Sequence, residues 1–231
     1  MKKGGTHVEV ALSFVIFITF LVFVYYVLIV PLSERESKDF ILSNFKENFM
    51  GLVSDDITII SINTESSPQN CVRLQNLMSA FNITNKIIVK NNLGNSEQVY
   101  VLGSDLEIIK SNDNNFLKIY HSKTFDSVSD LGETPCNQRT YEKGLKKTES
   151  HVFESKVIEL TENYKANYES LKSNLDIGEV NGFGFSFTYA NGTTIGTSEN
   201  TTLSVYAYEF PVVYVSKKSE ILTGVVNVRV W

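Results

Sequence analysis

The sequence predicts an α+β protein: a long N-terminal transmembrane helix that continues into an external domain of antiparallel β-sheet with one further long amphipathic helix. Three observations carry this prediction. An uninterrupted apolar run occupies residues 10–30, short β-rich segments recur from residue 56 onward, and a stripe of apolar residues at helical spacing lies near residue 160. The boundaries that follow are 1–31 for the leader and span, 32–53 for an amphipathic extension, 54–147 for a β-rich region, and 148–231 for a helix plus β-hairpins.

The run VALSFVIFITFLVFVYYVLIV from Val10 to Val30 is bounded by Glu9 and Pro31, and no charged residue falls between Glu9 and Glu34. At about 1.5 Å per residue such a helix crosses a hydrocarbon core of roughly 30 Å with some tilt. A buried helix of a soluble protein would need a large apolar domain around it, and the remainder of the chain is too polar. A cleaved secretory signal fits poorly, because its apolar region is about 7 to 15 residues long and ends at a small-x-small site. Here the run leaves through Ile29-Val30-Pro31-Leu32. Lys2 and Lys3 precede the span, while Glu34, Arg35, Glu36, Lys38 and Asp39 follow it with a net charge of −1. The positive-inside rule then puts the N-terminus in the cytoplasm and the rest outside.

Lys2-Lys3-Gly4 followed by Gly5-Thr6-His7-Val8-Glu9 and the apolar run resembles the leader of a type IV pilin-like protein of the archaeal kind. The resemblance covers about 30 residues and implies a prepilin peptidase that cuts on the cytoplasmic side after a glycine preceded by basic residues. Cutting after Gly4 makes Gly5 the first residue and Glu9 the fifth, the position at which that family carries a glutamate. A carboxylate near the hydrocarbon core is costly unless paired. The resemblance supplies the partner, the new amino terminus of a like subunit. The competing reading leaves Glu9 among lipid headgroups on the first helical turn, where the helix dipole favours a negative charge.

Removing Lys2, Lys3 and Glu9 from the 21 basic and 26 acidic residues leaves 19 and 25 beyond residue 33, a net charge of −6. That balance argues against nucleic acid as a partner, since nucleic acid selects basic faces. Membrane lipid is the partner the span implies. The two cysteines, Cys71 and Cys136, both fall in the external part, where an isolated pair reads as one disulfide. The alternative is two free buried thiols.

Phe40, Ile41, Leu42, Phe45, Phe49, Met50, Leu52 and Val53 recur at helical spacing through a charged background, so the spanning helix is expected to continue to about Val53. Pro31 should bend it near the membrane surface. From Asp56 the period becomes two, and strands are expected at 57–62, 86–89, 98–102, 106–109 and 116–120, with a short helix around 73–80 and a loop over 122–138. Phe153, Val157, Leu160, Tyr164, Tyr168, Leu171 and Leu175 place one apolar stripe on a helix from about Glu149 to Leu175. That stripe would pack on a sheet or form a coiled coil with another chain. Strands return at 183–190, 203–210, 212–216 and 224–231, with an Asn191-Gly192 hairpin turn and a polar tip at Lys217-Lys218-Ser219-Glu220. Gly182 and Gly184 read as tight packing in a strand rather than a phosphate loop.

Catalytic patterns are not found. His7, His121 and His151 are scattered, and there is no His-x-x-x-His pair, Gly-x-Ser-x-Gly elbow or P-loop. Asp55-Asp56 and Asp126 with Asp130 read as element ends or solvated loop, so no metal or cofactor is expected and the protein is not expected to be an enzyme. Asn82, Asn191 and Asn200 each open an Asn-x-Thr glycosylation sequon. The expectation is a pilin-like cell-surface protein, a filament subunit or minor component of a pilus- or secretion-type machine. The alternative is a single-pass anchored adhesin or binding module that does not polymerise.

Overall fold

The computed structural model describes residues 6–65, 70–111, 115–129, 136–178, 180–197 and 201–231. Helix α1 (Thr6–Val24) passes through a π-helical turn at Tyr25–Ile29 into α2 (Val30–Val53). The path is 48 residues long, about 72 Å at helical rise. The widened turn ends two residues before Pro31, which has no N–H to donate. A bend is expected at Pro31; what stands beside it is a π-helical turn.

At Val53 the helix gives way directly to β1 (Ser54–Thr64), where Ile57, Thr58, Ile59, Ile60 and Ile62 favour an extended backbone. The chain continues as β2 (Cys71–Leu74), α3 (Leu77–Phe81), β3 (Ile87–Asn91), β4 (Ser96–Leu102), β5 (Asp105–Ile109), β6 (Phe116–His121), β7 (Asn137–Arg139) and β8 (Tyr141–Phe153). It then forms α4 (Glu154–Ala166), α5 (Tyr168–Asn174), β9 (Phe183–Thr188), β10 (Thr194–Gly196), β11 (Tyr206–Val215) and β12 (Ile221–Val230). The twelve strands make one sheet in the order β10-β9-β12-β11-β8-β1-β6-β3-β4-β5-β2-β7. All neighbours are antiparallel except β2 with β7 and β8 with β11.

Four local expectations are corrected. The stretch 141–153, its last five residues expected to open the second helix, is a strand: it is polar and largely exposed, and what extends it is a ladder of ten residue pairs with β1. That ladder runs across the boundary expected at 147/148. The second helix begins at Glu154 and is interrupted at Asn167 (φ −140°, ψ 49°), giving a 13-residue and a 7-residue segment. The short helix lies at 77–81, because Asp105 accepts hydrogen bonds from Arg73 Nε and the Asn76 amide (2.8 Å each) and Asn76 turns left-handed at φ 54°. The expected strands 203–210 and 212–216 are one strand, β11, with Pro211 inside it. Pro211 is tolerated there because β8 meets β11 only at Val152–Tyr214 and Phe153–Val215, which leaves the lower part of that edge unpaired.

Two cores follow. Phe45 and Phe49 of α2 are fully buried against Phe183, Phe185 and Tyr164, with ring centroids 5.5 Å apart for Phe45–Phe183 and 5.1 Å for Phe49–Phe185. The second core joins Ile60, Ile62, Leu74, Leu77, Ile108 and Ile119. A third, smaller cluster holds Ile57, Phe125, Phe153 and Val215. The α4 stripe packs inward, and Tyr164 donates its hydroxyl to the Phe183 carbonyl at 2.8 Å. Gly182 and Gly184 lie under the Trp231 indole, where a Cβ on Gly182 would stand 2.1 Å from its nitrogen.

Candidate functional site

The helix divides into two chemically different halves. Val8–Val27 has a mean hydropathy of 2.6, is long and apolar enough to cross a membrane, and none of it is covered by the rest of the chain. Val10 (68% exposed), Phe14, Phe17 and Phe20 all face outward. A surface of this size has no place in water and needs lipid or other apolar helices around it. The hydroxyl of Thr19 donates to the Val15 carbonyl at 2.5 Å, which satisfies a polar side chain in the middle of the run. Tyr25 and Tyr26 meet edge to face at its upper end, where aromatic side chains suit a membrane interface.

Glu9 lies exposed on the first turn of α1, and among the described residues no basic group of the same chain is within ion-pair distance. Lys2, Lys3, Gly4 and Gly5 lie outside the described residues.

Cys71 and Cys136 form a disulfide with Cα atoms 5.1 Å apart. It ties the start of β2 to the residue preceding β7 at the rim of the sheet. Asn82 caps α3 in a left-handed conformation (φ 51°), Asn191 sits at the tip between β9 and β10, and Asn200 is outside the described residues.

His121, His151 and Asp55 serve local ties, and Asp130 lies outside the described residues. His121 Nε2 lies 3.1 Å from the Thr84 hydroxyl; burial, then Lys146 and Lys123, hold its pKa below the usual imidazole value. His151 Nε2 is 3.5 Å from Glu149. Burial would raise the pKa of Asp55, but the Thr124 hydroxyl at 2.5 Å, the Asp56 amide and Lys156 outweigh it and lower it. Among the described residues no group of three His, Cys, Asp or Glu side chains is placed to hold a metal ion.

The tertiary structure also builds a cleft that sequence reasoning missed. Phe45 and Phe49 succeed one another along α2 as Phe183 and Phe185 do along β9, so β9 runs away from the span. The β9–β10 turn and the β11–β12 tip therefore share the end of the domain far from the apolar helix. Between them lies a cleft of 530 Å³, lined by Tyr189, Tyr214, Leu222, Asn191, Lys217 and Glu154 among others. Glu154 accepts a hydrogen bond from the Lys217 amide at 2.7 Å. Burial and the neighbouring Glu154 carboxylate push the Tyr189 hydroxyl up to about 12. The two turns were legible separately, but nothing in the sequence marks them as neighbours. A second groove of 610 Å³ opens where β8 and β11 diverge, with Lys46 4.9 Å from the Tyr208 ring centre and 4.7 Å from that of Phe210.

No protein-family model, no curated protein and no solved structure matches this chain.

Proposed function

We propose that this chain is a type IV pilin-like surface protein: inserted by its first helix, cleaved after Gly4 by a prepilin peptidase, with its sheet domain outside the cell. In this reading it joins other subunits through the apolar half of that helix, as a filament subunit or a minor component of a pilus- or secretion-type machine. The observation that carries the reading is one helix with two surfaces. Its first half is bare and apolar, while its second half is a strut of the domain core through Leu42, Phe45, Phe49 and Val53. Such a chain can leave lipid for a helical bundle without rearranging its folded domain. The leader residues and Glu9 supply the chemistry of processing and register.

The test is Glu9→Ala. In a bundle, Glu9 would pair with the free amine of Gly5 on a neighbour, and truncating one partner of such a buried pair costs roughly 3 to 5 kcal/mol, enough to block addition of a subunit. Among headgroups the same change costs about 0.3 to 1 kcal/mol through the lost dipole interaction. The expected result is loss of filament incorporation with membrane level and leader cleavage unchanged, the latter read by mass spectrometry of an N-terminal peptide beginning at Gly5. Normal incorporation of Glu9→Ala would refute the pairing.

A second reading, a single-pass anchored binding module that does not polymerise, is favoured by the open cleft at the far end of the domain. Absence of filaments from cells expressing the wild-type protein would select it.

A further inference from the structure

We infer that Asn191 carries an N-linked glycan whose first sugar lies in the cleft between the β9–β10 turn and the β11–β12 tip. This rests on the proposal that the domain lies outside the cell, where sequons meet their transferase.

The sequon Asn191-Gly192-Thr193 occupies a projecting turn, and all three residues are exposed. Its backbone closes on itself: the Gly192 amide donates to the Tyr189 carbonyl at 2.9 Å, the Tyr189 amide donates to the Thr193 carbonyl at 2.8 Å, and Gly192 takes φ 83° without strain. The Asn191 Oδ1 accepts from both the Thr193 amide (3.0 Å) and the Thr193 hydroxyl (2.7 Å). The carboxamide is thus held by its oxygen, and its nitrogen, which has no partner among the described residues, points to the acceptor role.

Asn82-Ile83-Thr84 is different. Ile83 is 9% exposed and belongs to the second core, and the Thr84 hydroxyl is engaged with His121. That sequon can be presented only before the domain folds, whereas the Asn191 turn can be presented by the finished structure.

In the transfer, Asn191 Nδ2 attacks the anomeric carbon of a sugar carried on a lipid phosphate or diphosphate. The C–N bond forms as the C–O bond to phosphate breaks, the lipid phosphate leaves with the electron pair, and the amide proton passes to a base of the transferase. The attached ring then meets Tyr189 and Leu222, whose apolar surface suits the apolar face of a pyranose, with Lys217, Ser216 and Glu220 around the hydroxyls. The volume of 530 Å³ falls within the ordinary range of small-molecule sites, about 300 to 1,000 Å³.

The test uses the full chain purified from membranes of cells with a surface N-glycosylation system. Peptide mass spectrometry should find sugar on Asn191, lost in Asn191→Gln and Thr193→Ala and retained in Thr193→Ser. Amide hydrogen exchange at 190–193 and 217–220 should be severalfold slower in the glycosylated protein than in Asn191→Gln, with Asn82→Gln leaving it unchanged. Equal exchange rates would overturn the seating in the cleft, and modification of Asn82 in place of Asn191 would overturn the acceptor. Labelling of intact cells with a membrane-impermeant lysine reagent separates the two levels of the argument. Unmodified Asn191 on a labelled, external domain overturns this inference alone, while an unlabelled domain overturns the orientation with it.

Discussion

Phe49→Ala is the substitution that asks most directly whether the long N-terminal helix is part of the domain. Phe49 is fully buried, lies 6.1 Å from Phe45 and 5.1 Å from Phe185 between ring centres, and belongs to the core that α2, α4 and β9–β12 share. Truncating a buried phenylalanine costs about 3 to 5 kcal/mol, because the lost transfer energy is joined by the cavity left behind. For a domain of this size each kcal/mol moves the melting temperature by about 2 to 4 °C, so a fall of roughly 6 to 20 °C is expected. The control is Phe40→Ala, nine residues earlier on the same helix and 67% exposed, which should change stability by less than about 0.5 kcal/mol. The assay is thermal unfolding of the full chain in detergent, read by the fluorescence of Trp231, the only tryptophan, which packs on Gly182 and Gly184. A Phe49→Ala loss below about 1 kcal/mol, or one no larger than that of Phe40→Ala, would refute the strut and make α2 a stalk lying beside the sheet.

Removing the disulfide by Cys71→Ser with Cys136→Ser opens a loop of 65 residues and should cost about 4 kcal/mol by the loop-entropy model, measured as a lower denaturant midpoint. Thiol labelling of the unfolded, unreduced wild type should modify neither cysteine. Acid should weaken the domain in two stages. His121 has a lowered pKa through burial, Lys146 and Lys123, so its neutral form supports the fold above pH 6.5 and that support is lost as pH falls below it. Burial works to raise Asp105, but the Asn76 amide and Arg73 outweigh it; its stabilisation is present above pH 3.8 and lost as pH falls through its lower folded pKa. His121→Gln should remove the first stage and Asp105→Asn should shrink the second in a pH series of melting temperatures; unchanged profiles would refute these assignments.

What the sequence determined by itself is whatever depends on a local, one-dimensional signal. A long apolar run free of charge from Val10 onward specifies a helix able to cross a membrane, and the spacing of Leu42, Phe45, Phe49 and Val53 carries that helix on to its observed end. Strands whose side chains alternate, such as Phe116–His121 and Phe183–Thr188, announced themselves, as did the Asn191-Gly192 turn. The pairing of Cys71 with Cys136 needed only that there be two of them and no third to compete. What the tertiary structure decided depends on partners distant in the chain. The polar segment Tyr141–Phe153 has no reason of its own to extend, and it does so because β1 offers an edge with which ten of its residues pair. Asp105, not the residues around it, fixes where β2 ends and α3 begins. The far cleft exists because β9, β11 and β12 bring Tyr189, Glu154 and Lys217 together from positions 28 to 63 residues apart. Backbone pairing and side-chain capture across such distances leave no periodicity in the sequence, since each half is polar and unremarkable until the fold sets it against the other.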